Sequence, residues 1–245
     1  MLAIKQMDSL PVQYKDVEIV ERKGLAHPDT LIDGIVEEVS KNLCKEYLNT
    51  FGFIAHHNVD KGLIVGGKSE VTFKGGKIIK KPLIYITGRA TEEVEGKKIN
   101  VEEIALNAAK SYLKKIRNAD VENDFEYVVK LREGSKDLTE LFRRSKVPLA
   151  NDTSFGVSYA PLSNLEKTVK HVEQFLNSEK IKKQYPFLGE DIKVMGYRYS
   201  ERVGLTVAIA FVSKYIDDLE DYWRKKEKIE KIVKKEAEKV YGNEV

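Results

Sequence analysis

His27, Pro28 and Asp29 stand together where an alternating stretch hands over to helical spacing, a point suited to chemistry on an anion. Free backbone N–H groups and the positive end of the dipole gather at a helix N-terminus, and both attract negative charge. A carboxylate such as Asp29 can hold a divalent metal there. Ordinary capping by Asp29 or Thr30 is the alternative reading of the same residues. Three further groups carry polar chemistry. Asp191 and Lys193 alternate with Ile192 and Val194, so acid and base share one face of a strand. The loop from Arg132 to Asp137 offers Gly134 and Ser135 as N–H and hydroxyl donors to a phosphate, or is a connecting turn. Asn151, Asp152, Thr153 and Ser154 interrupt an apolar run that continues through Phe155 and Gly156, which suggests a lined cavity more than a surface turn.

Elements must position these residues. The segment from Asp16 to Arg22 sets Val17 and Ile19 on one face and Glu18 on the other, the period of a half-buried strand. Gly24 permits a sharp turn, and Pro28 suits the first helical position. Ile32, Ile35, Val36, Val39, Leu43 and Tyr47 then recur at helical spacing. Phe51 to Asp60 reads as a strand whose His56 and His57 point to opposite faces and cannot chelate one metal together, one of them being an ordinary packed histidine. Val71 and Phe73, Gly75-Gly76, then Ile78, Leu83 and Tyr85 read as a hairpin. A second amphipathic helix runs from Val101 to Ile116, followed by a strand over 125–131. Ser163 and Glu166 form a capping box opening a third helix. Strands at 189–196 and 203–212 precede a long charged helix from about Lys214, whose lysines read as a solvated face. The expected class is α+β, with sheets covered by helices on one face. Two related layers are expected, 1–120 with the His-Pro-Asp motif and 121–245 ending in the long helix, their segments free to interleave.

The bulk composition narrows the function. With 42% hydrophobic and 33% charged residues, the 245-residue chain is that of a globular protein. Its 42 basic and 39 acidic residues nearly cancel, which argues against nucleic acid as a partner. Cys44 is the only cysteine, so no disulfide forms within the chain and a reducing cytoplasm is expected. No signal-peptide pattern and no apolar run of membrane-spanning length is seen, so no membrane partner is expected.

Taken in order, these stretches resemble the archaeal-type S-adenosylmethionine synthetases. The resemblance rests on Val20 to Asp29, His56 to Asp60, Val65-Gly-Gly67, Gly88-Arg-Ala-Thr91, Val147 to Ser163 and Gly189 to Gly196. It implies an enzyme that joins L-methionine to ATP, with sulfur attacking C5′ and the released triphosphate cleaved to phosphate and pyrophosphate. By that resemblance His27 lies at the ribose–triphosphate junction, where it hydrogen-bonds the departing oxygen, and Asp29 is a Mg²⁺ ligand. Lys193 is the second catalytic residue, contacting nucleotide and phosphates together with Asp191. Asp152 lies near the methionine amino group, and Gly134, Ser135 and Asp137 form an ATP-contacting segment. Asp60, Asn151, Ser154 and Phe155 complete the implied binding set. Mg²⁺ is the implied cofactor, with K⁺ as a further candidate.

Three departures accompany the resemblance. Ala26 stands where the family usually has glycine, Arg132-Glu133 where it has Gly-Gln, and Lys61 where Gln is common. Family members also run to roughly 400 residues, a multi-domain length. The resemblance implies subunits paired sheet against sheet, with Val203 to Val212 as the expected apolar face. A homodimer, or a heteromer with a chain carrying the remaining portion, is therefore expected. A non-catalytic or split-subunit paralogue that binds nucleotide or a partner synthetase chain is the alternative.

Overall fold

The computed structural model describes residues 3–135, 140, 159–242 and 245. Its strands, in chain order, are β1 (Val17–Lys23), β2 (His57–Val65), β3 (Lys68–Thr72), β4 (Gly75–Lys80), β5 (Leu83–Ala90), β6 (Glu93–Val94), β7 (Lys97–Lys98), β8 (Glu126–Arg132), β9 (Leu188–Tyr199) and β10 (Arg202–Phe211). The helices are α1 (Pro28–Phe51), α2 (Val101–Leu113), α3 (Asn164–Leu176), α4 (Glu179–Gln184) and α5 (Leu219–Tyr241). They divide into two compact units, one of Met1–Leu25 with Ser158–Val245 and one of Ala26–Val157. The unit boundaries thus fall at 25/26 and 157/158.

In the 26–157 unit, β2, β5 and β8 form a sheet in that order, β2 antiparallel and β8 parallel to β5. The parallel step is made by α2, as such crossovers require. Leu31, Ile35, Val39, Leu43 and Tyr47 of α1 are buried with Ala105, Ala109 and Leu113 of α2 and Ile84, Ile86 and Leu131 of the sheet. Each large aliphatic side chain in this set contributes about 1.5–3 kcal/mol of burial. The helices meet closely at Gly34, where an added Cβ would lie 1.9 Å from the Tyr112 hydroxyl.

Helix α1 runs further than its apolar spacing suggested. It continues through Phe51 and stops at Gly52, whose φ of 82° caps it in the left-handed conformation. The strand expected from Phe51 therefore begins at His57. The hairpin also turns earlier than expected, at Phe73-Lys74, with Lys74 at φ 64° and Gly75-Gly76 already in β4.

In the other unit, β1, β9 and β10 form an antiparallel sheet with β9 central. Val169, Val172 and Leu176 of α3 pack with Ile192 and Val194, joined by Ile229, Val233 and Ala237 of α5. The expected capping box of Ser163 and Glu166 opens α3. The faces of β1 are reversed from the alternation rule: Glu18 is 3% exposed, whereas Val17 and Ile19 are 49% and 68% exposed. Glu18 is accommodated because its carboxylate accepts from the Ser163 hydroxyl and pairs with Arg198. A buried charge so paired avoids most of the desolvation cost that would otherwise turn it outward. Val203 to Val212 likewise spends its apolar residues inside the unit. Leu205, Val207, Ile209 and Phe211 are partly buried against its core.

Candidate active site

His27 is the N-cap of α1, with extended backbone, and its Nδ1 accepts the Asp29 N–H at 3.3 Å. A ring nitrogen that accepts carries no proton, so Nε2 is the donor left to a ligand. Asp29 sits in the first turn, its side chain 64% exposed and a carboxylate oxygen 4.0 Å from His27 Nδ1. The histidine itself, not Asp29 or Thr30, caps the helix, and the carboxylate of Asp29 lies at the surface. Ala26 is not among the described non-glycine residues with positive φ, so the methyl group it carries needs no special backbone.

Asp60 lies at a bulge in β2. The register jumps from Asn58 opposite Arg89 to Lys61 opposite Thr87, which sets Val59 and Asp60 against the single residue Gly88. Gly88 has φ 149°, and a Cβ there would lie 2.2 Å from the Asn58 carbonyl oxygen. Only glycine meets both demands, and bulges of this kind re-aim side chains at functional sites. Asp60 pairs with Lys61 at 2.7 Å, an exposed contact of small energetic weight.

Gly134 and Ser135 follow β8. An added Cβ on Gly134 would lie 2.6 Å from His56 Nδ1, so this glycine admits the loop against a fully buried imidazole. Burial lowers the His56 pKa, with smaller contributions from His57 and Arg89. Arg132, the exposed end of β8, is the lateral partner of Arg89 on β5, which concentrates positive charge at that edge. His57 packs against α1: Nε2 meets the Ser40 hydroxyl at 2.9 Å and Nδ1 donates to the Ala55 carbonyl at 3.0 Å. Burial lowers its pKa too. Both histidines are therefore packed, where the sequence reading reserved that role for one.

In the other unit, Asp191 and Lys193 project from one face of β9, opposite buried Ile192 and Val194. A register jump between Ile209 opposite Ile192 and Phe211 opposite Leu188 places Asp191 beside an irregularity, as with Asp60. Lys193 Nζ is 2.6 Å from a carboxylate oxygen of Glu21, whose other oxygen is 3.7 Å from Lys23 Nζ. Lys23 and Lys193 are themselves cross-strand partners. Glu21 was not singled out as a site residue from the sequence. Its two-residue spacing from Lys23 on an alternating strand was the available signal. Gly24 serves space more than conformation, since a Cβ would lie 2.5 Å from Asn177 Nδ2. Asp137, Asn151, Asp152, Ser154 and Phe155 lie outside the described residues.

The donor set suits a divalent cation that arrives with a polyphosphate. Asp29 offers one exposed carboxylate, and no group of three or more His, Cys, Asp or Glu able to cage a metal occurs among the described residues. Mg²⁺ is commonly held this way, by one or two carboxylates and substrate oxygens.

The α+β chain thus carries a histidine-capped helix with an exposed acid in its first turn in one unit, and a strand-borne acid–lysine pair in the other. The family model for S-adenosylmethionine synthetase (AdoMet synthetase) matches residues 1–245, and the chain belongs to that family. It is 48% identical over 242 residues to a probable S-adenosylmethionine synthase of Aquifex aeolicus, covering 97% of this chain and 60% of the relative. It is 44% identical over 248 residues to the S-adenosylmethionine synthase of Pyrococcus furiosus, covering 100% of this chain and 62% of the relative. The chain thus spans about three-fifths of the length of these curated relatives. The fold is similar to that of a solved S-adenosylmethionine synthetase from Campylobacter jejuni, with TM-score 0.51 at 16% identity over 91% of this chain and 53% of that one.

Proposed function

We propose that this chain carries the methionine adenosyltransferase reaction, joining L-methionine to ATP. The observation that carries the reading is 48% identity to a probable S-adenosylmethionine synthase across 97% of the chain. The sulfur lone pair of methionine forms the bond to C5′ as the C5′–O bond breaks, and the triphosphate leaves with the electron pair. Water then cleaves the triphosphate to phosphate and pyrophosphate. His27 donates from Nε2 to the departing oxygen, its ring fixed by the Asp29 N–H on Nδ1. Lys193, held by Glu21, contributes positive charge toward the phosphates, and Asp191 on the same face orients the nucleotide. Asp29 would hold Mg²⁺, which when bound neutralises charge on the triphosphate; K⁺ is a further cation in this reading. In this reading Asp60, Gly134, Ser135 and Asp137 are assigned to ATP binding, and Asn151, Asp152, Ser154 and Phe155 to substrate binding, as the resemblance implies.

The functional assembly in this reading is a homodimer, or a heteromer with a chain carrying the remaining portion. The location is the cytoplasm, where both substrates reside and a single unpaired cysteine is at home. The ordinary backbone at Ala26 removes one argument for a non-catalytic paralogue. The deciding measurement is methionine-dependent S-adenosylmethionine and phosphate formation from Mg·ATP, with the chain alone and with the remaining portion supplied from a relative. Product in either arm is expected. A folded protein that makes none in both arms, yet binds Mg·ATP, would return the alternative reading.

A further inference from the structure

A cleft in the unit of Met1–Leu25 and Ser158–Val245 lies outside every residue assigned to the reaction. It is lined by Tyr185 and Phe187 after α4, Lys214 and Tyr215 after β10, and Arg224, Lys225 and Lys228 of α5, among others. Four cations therefore face one concavity. Tyr185 and Phe187 are nearly buried and form its floor, while Tyr215 is 39% exposed. Three ammonium groups sit over these rings: Lys214 at 5.0 Å from the Tyr215 centroid, Lys225 at 5.4 Å from Phe187 and Lys228 at 5.1 Å from Tyr185. Ring contacts of this kind hold the cations in place without neutralising them.

The cleft is also preorganised. Asp221, 4% exposed, pairs with Arg224 at 2.6 Å and with Lys225 at 2.5 Å, and Lys225 also donates to the Tyr215 carbonyl. Lys225, then the Asp217 N–H and Arg224, hold the Asp221 carboxyl well below the usual carboxylate range, so it remains an anchor at any physiological pH. Asp221 pairs with Arg224 and Lys225, and Asp218 and Glu220 also act on Arg224, so Lys214 and Lys228 are the cleft's cations outside the Asp221 pairs. Asp221, Arg224, Lys225 and Lys228 follow the i, i+3, i+4, i+7 stripe of one helix face, so the long helix uses the start of its charged surface for this wall.

The geometry points to this cleft as a binding site for a small molecule bearing a diphosphate or longer phosphate chain, separate from the methionine adenosyltransferase site. Fixed cations on an aromatic floor form charge-assisted hydrogen bonds to phosphate oxygens without a metal. That independence from metal sets the test. ADP and inorganic pyrophosphate are titrated calorimetrically into the whole chain in excess EDTA, which suppresses binding through Asp29. Both are expected to bind. Equal affinities identify the phosphates alone as the recognised group, and tighter ADP binding adds the nucleoside along Tyr215. Lys214→Gln with Lys228→Gln, shown folded by its thermal transition, is expected to weaken EDTA-resistant binding roughly tenfold or more, while Lys193→Gln leaves it unchanged. Absence of binding in EDTA overturns the proposal. So does binding that survives the double substitution, or that is lost with Lys193→Gln, which would assign it to the reaction site.

Discussion

His27 has two duties that ordinary substitutions remove together, and they can be separated. Its Nδ1 caps α1, which leaves Nε2 as the ring's donor. His27→Ala should cost about 0.5–2 kcal/mol of stability, the range for a lost cap, and slow S-adenosylmethionine formation by roughly two to four decades. His27→Asn restores a capping side chain, so it should recover the stability and leave the rate low. Paired melting curves and single-turnover rates check this; recovery of rate along with stability would confine His27 to capping. A second expectation concerns His57. Burial depresses its folded pKa below the ordinary 6.5, so the unfolded chain binds the proton first as pH falls. Its contribution to stability is complete above about pH 6.5 and is lost progressively below it. Denaturant melts at pH 7.5 and 5.5 should therefore show a smaller acid loss for His57→Gln than for wild type. An unchanged pH slope would remove His57 from the acid sensitivity.

At the scale of elements, close backbone approaches place the candidate side chains. Gly34 lets α1 meet Tyr112 of α2, and the Cβ of alanine would overlap that ring. Gly34→Ala should cost about 1–3 kcal/mol, the usual range for an overpacked contact. Tyr112→Leu should relieve most of this in the double variant, giving a coupling that independent sites would not show. Additive losses would mean that the helices do not meet there. Gly88 does the corresponding work for Asp60. With φ 149° and the Asn58 carbonyl in the way, Gly88→Ala must deform the bulge. The expected result is a raised KM for ATP exceeding what the loss of stability explains. An unchanged KM would take Asp60 out of the ATP site.

At the scale of the whole molecule, the open face of the β1–β9–β10 sheet exposes Ile19 at 68%, Tyr199 at 62%, Val17 at 49% and Tyr197 at 44%. Adjacent exposed apolar side chains on a flat sheet mark an association surface. This face is therefore a further candidate, beside Val203–Val212, for the homodimer or heteromer contact. Sedimentation velocity at roughly ten micromolar, a concentration at which an interface of standard size is formed, should give a dimer. Ile19→Lys should shift it toward monomer, and a wild-type monomer, alone and with the remaining portion supplied, would defeat the assembly reading.

Periodicity alone located α1, α2, the capping box of α3, β9, β10 and α5, because those signals depend on neighbours a few residues apart. The sequence likewise carried the His-Pro-Asp junction and the shared face of Asp191 and Lys193, both local consequences of strand and helix geometry. Tertiary structure alone decided the inward turn of Glu18, since its partners Ser163 and Arg198 lie far along the chain. The same holds for the Glu21–Lys193 pair, created when β1 meets β9, and for the bulge that sets Asp60 against Gly88. Alternation reports which residues share a face, but the chain's distant segments decide which face is buried and which ion each charge meets.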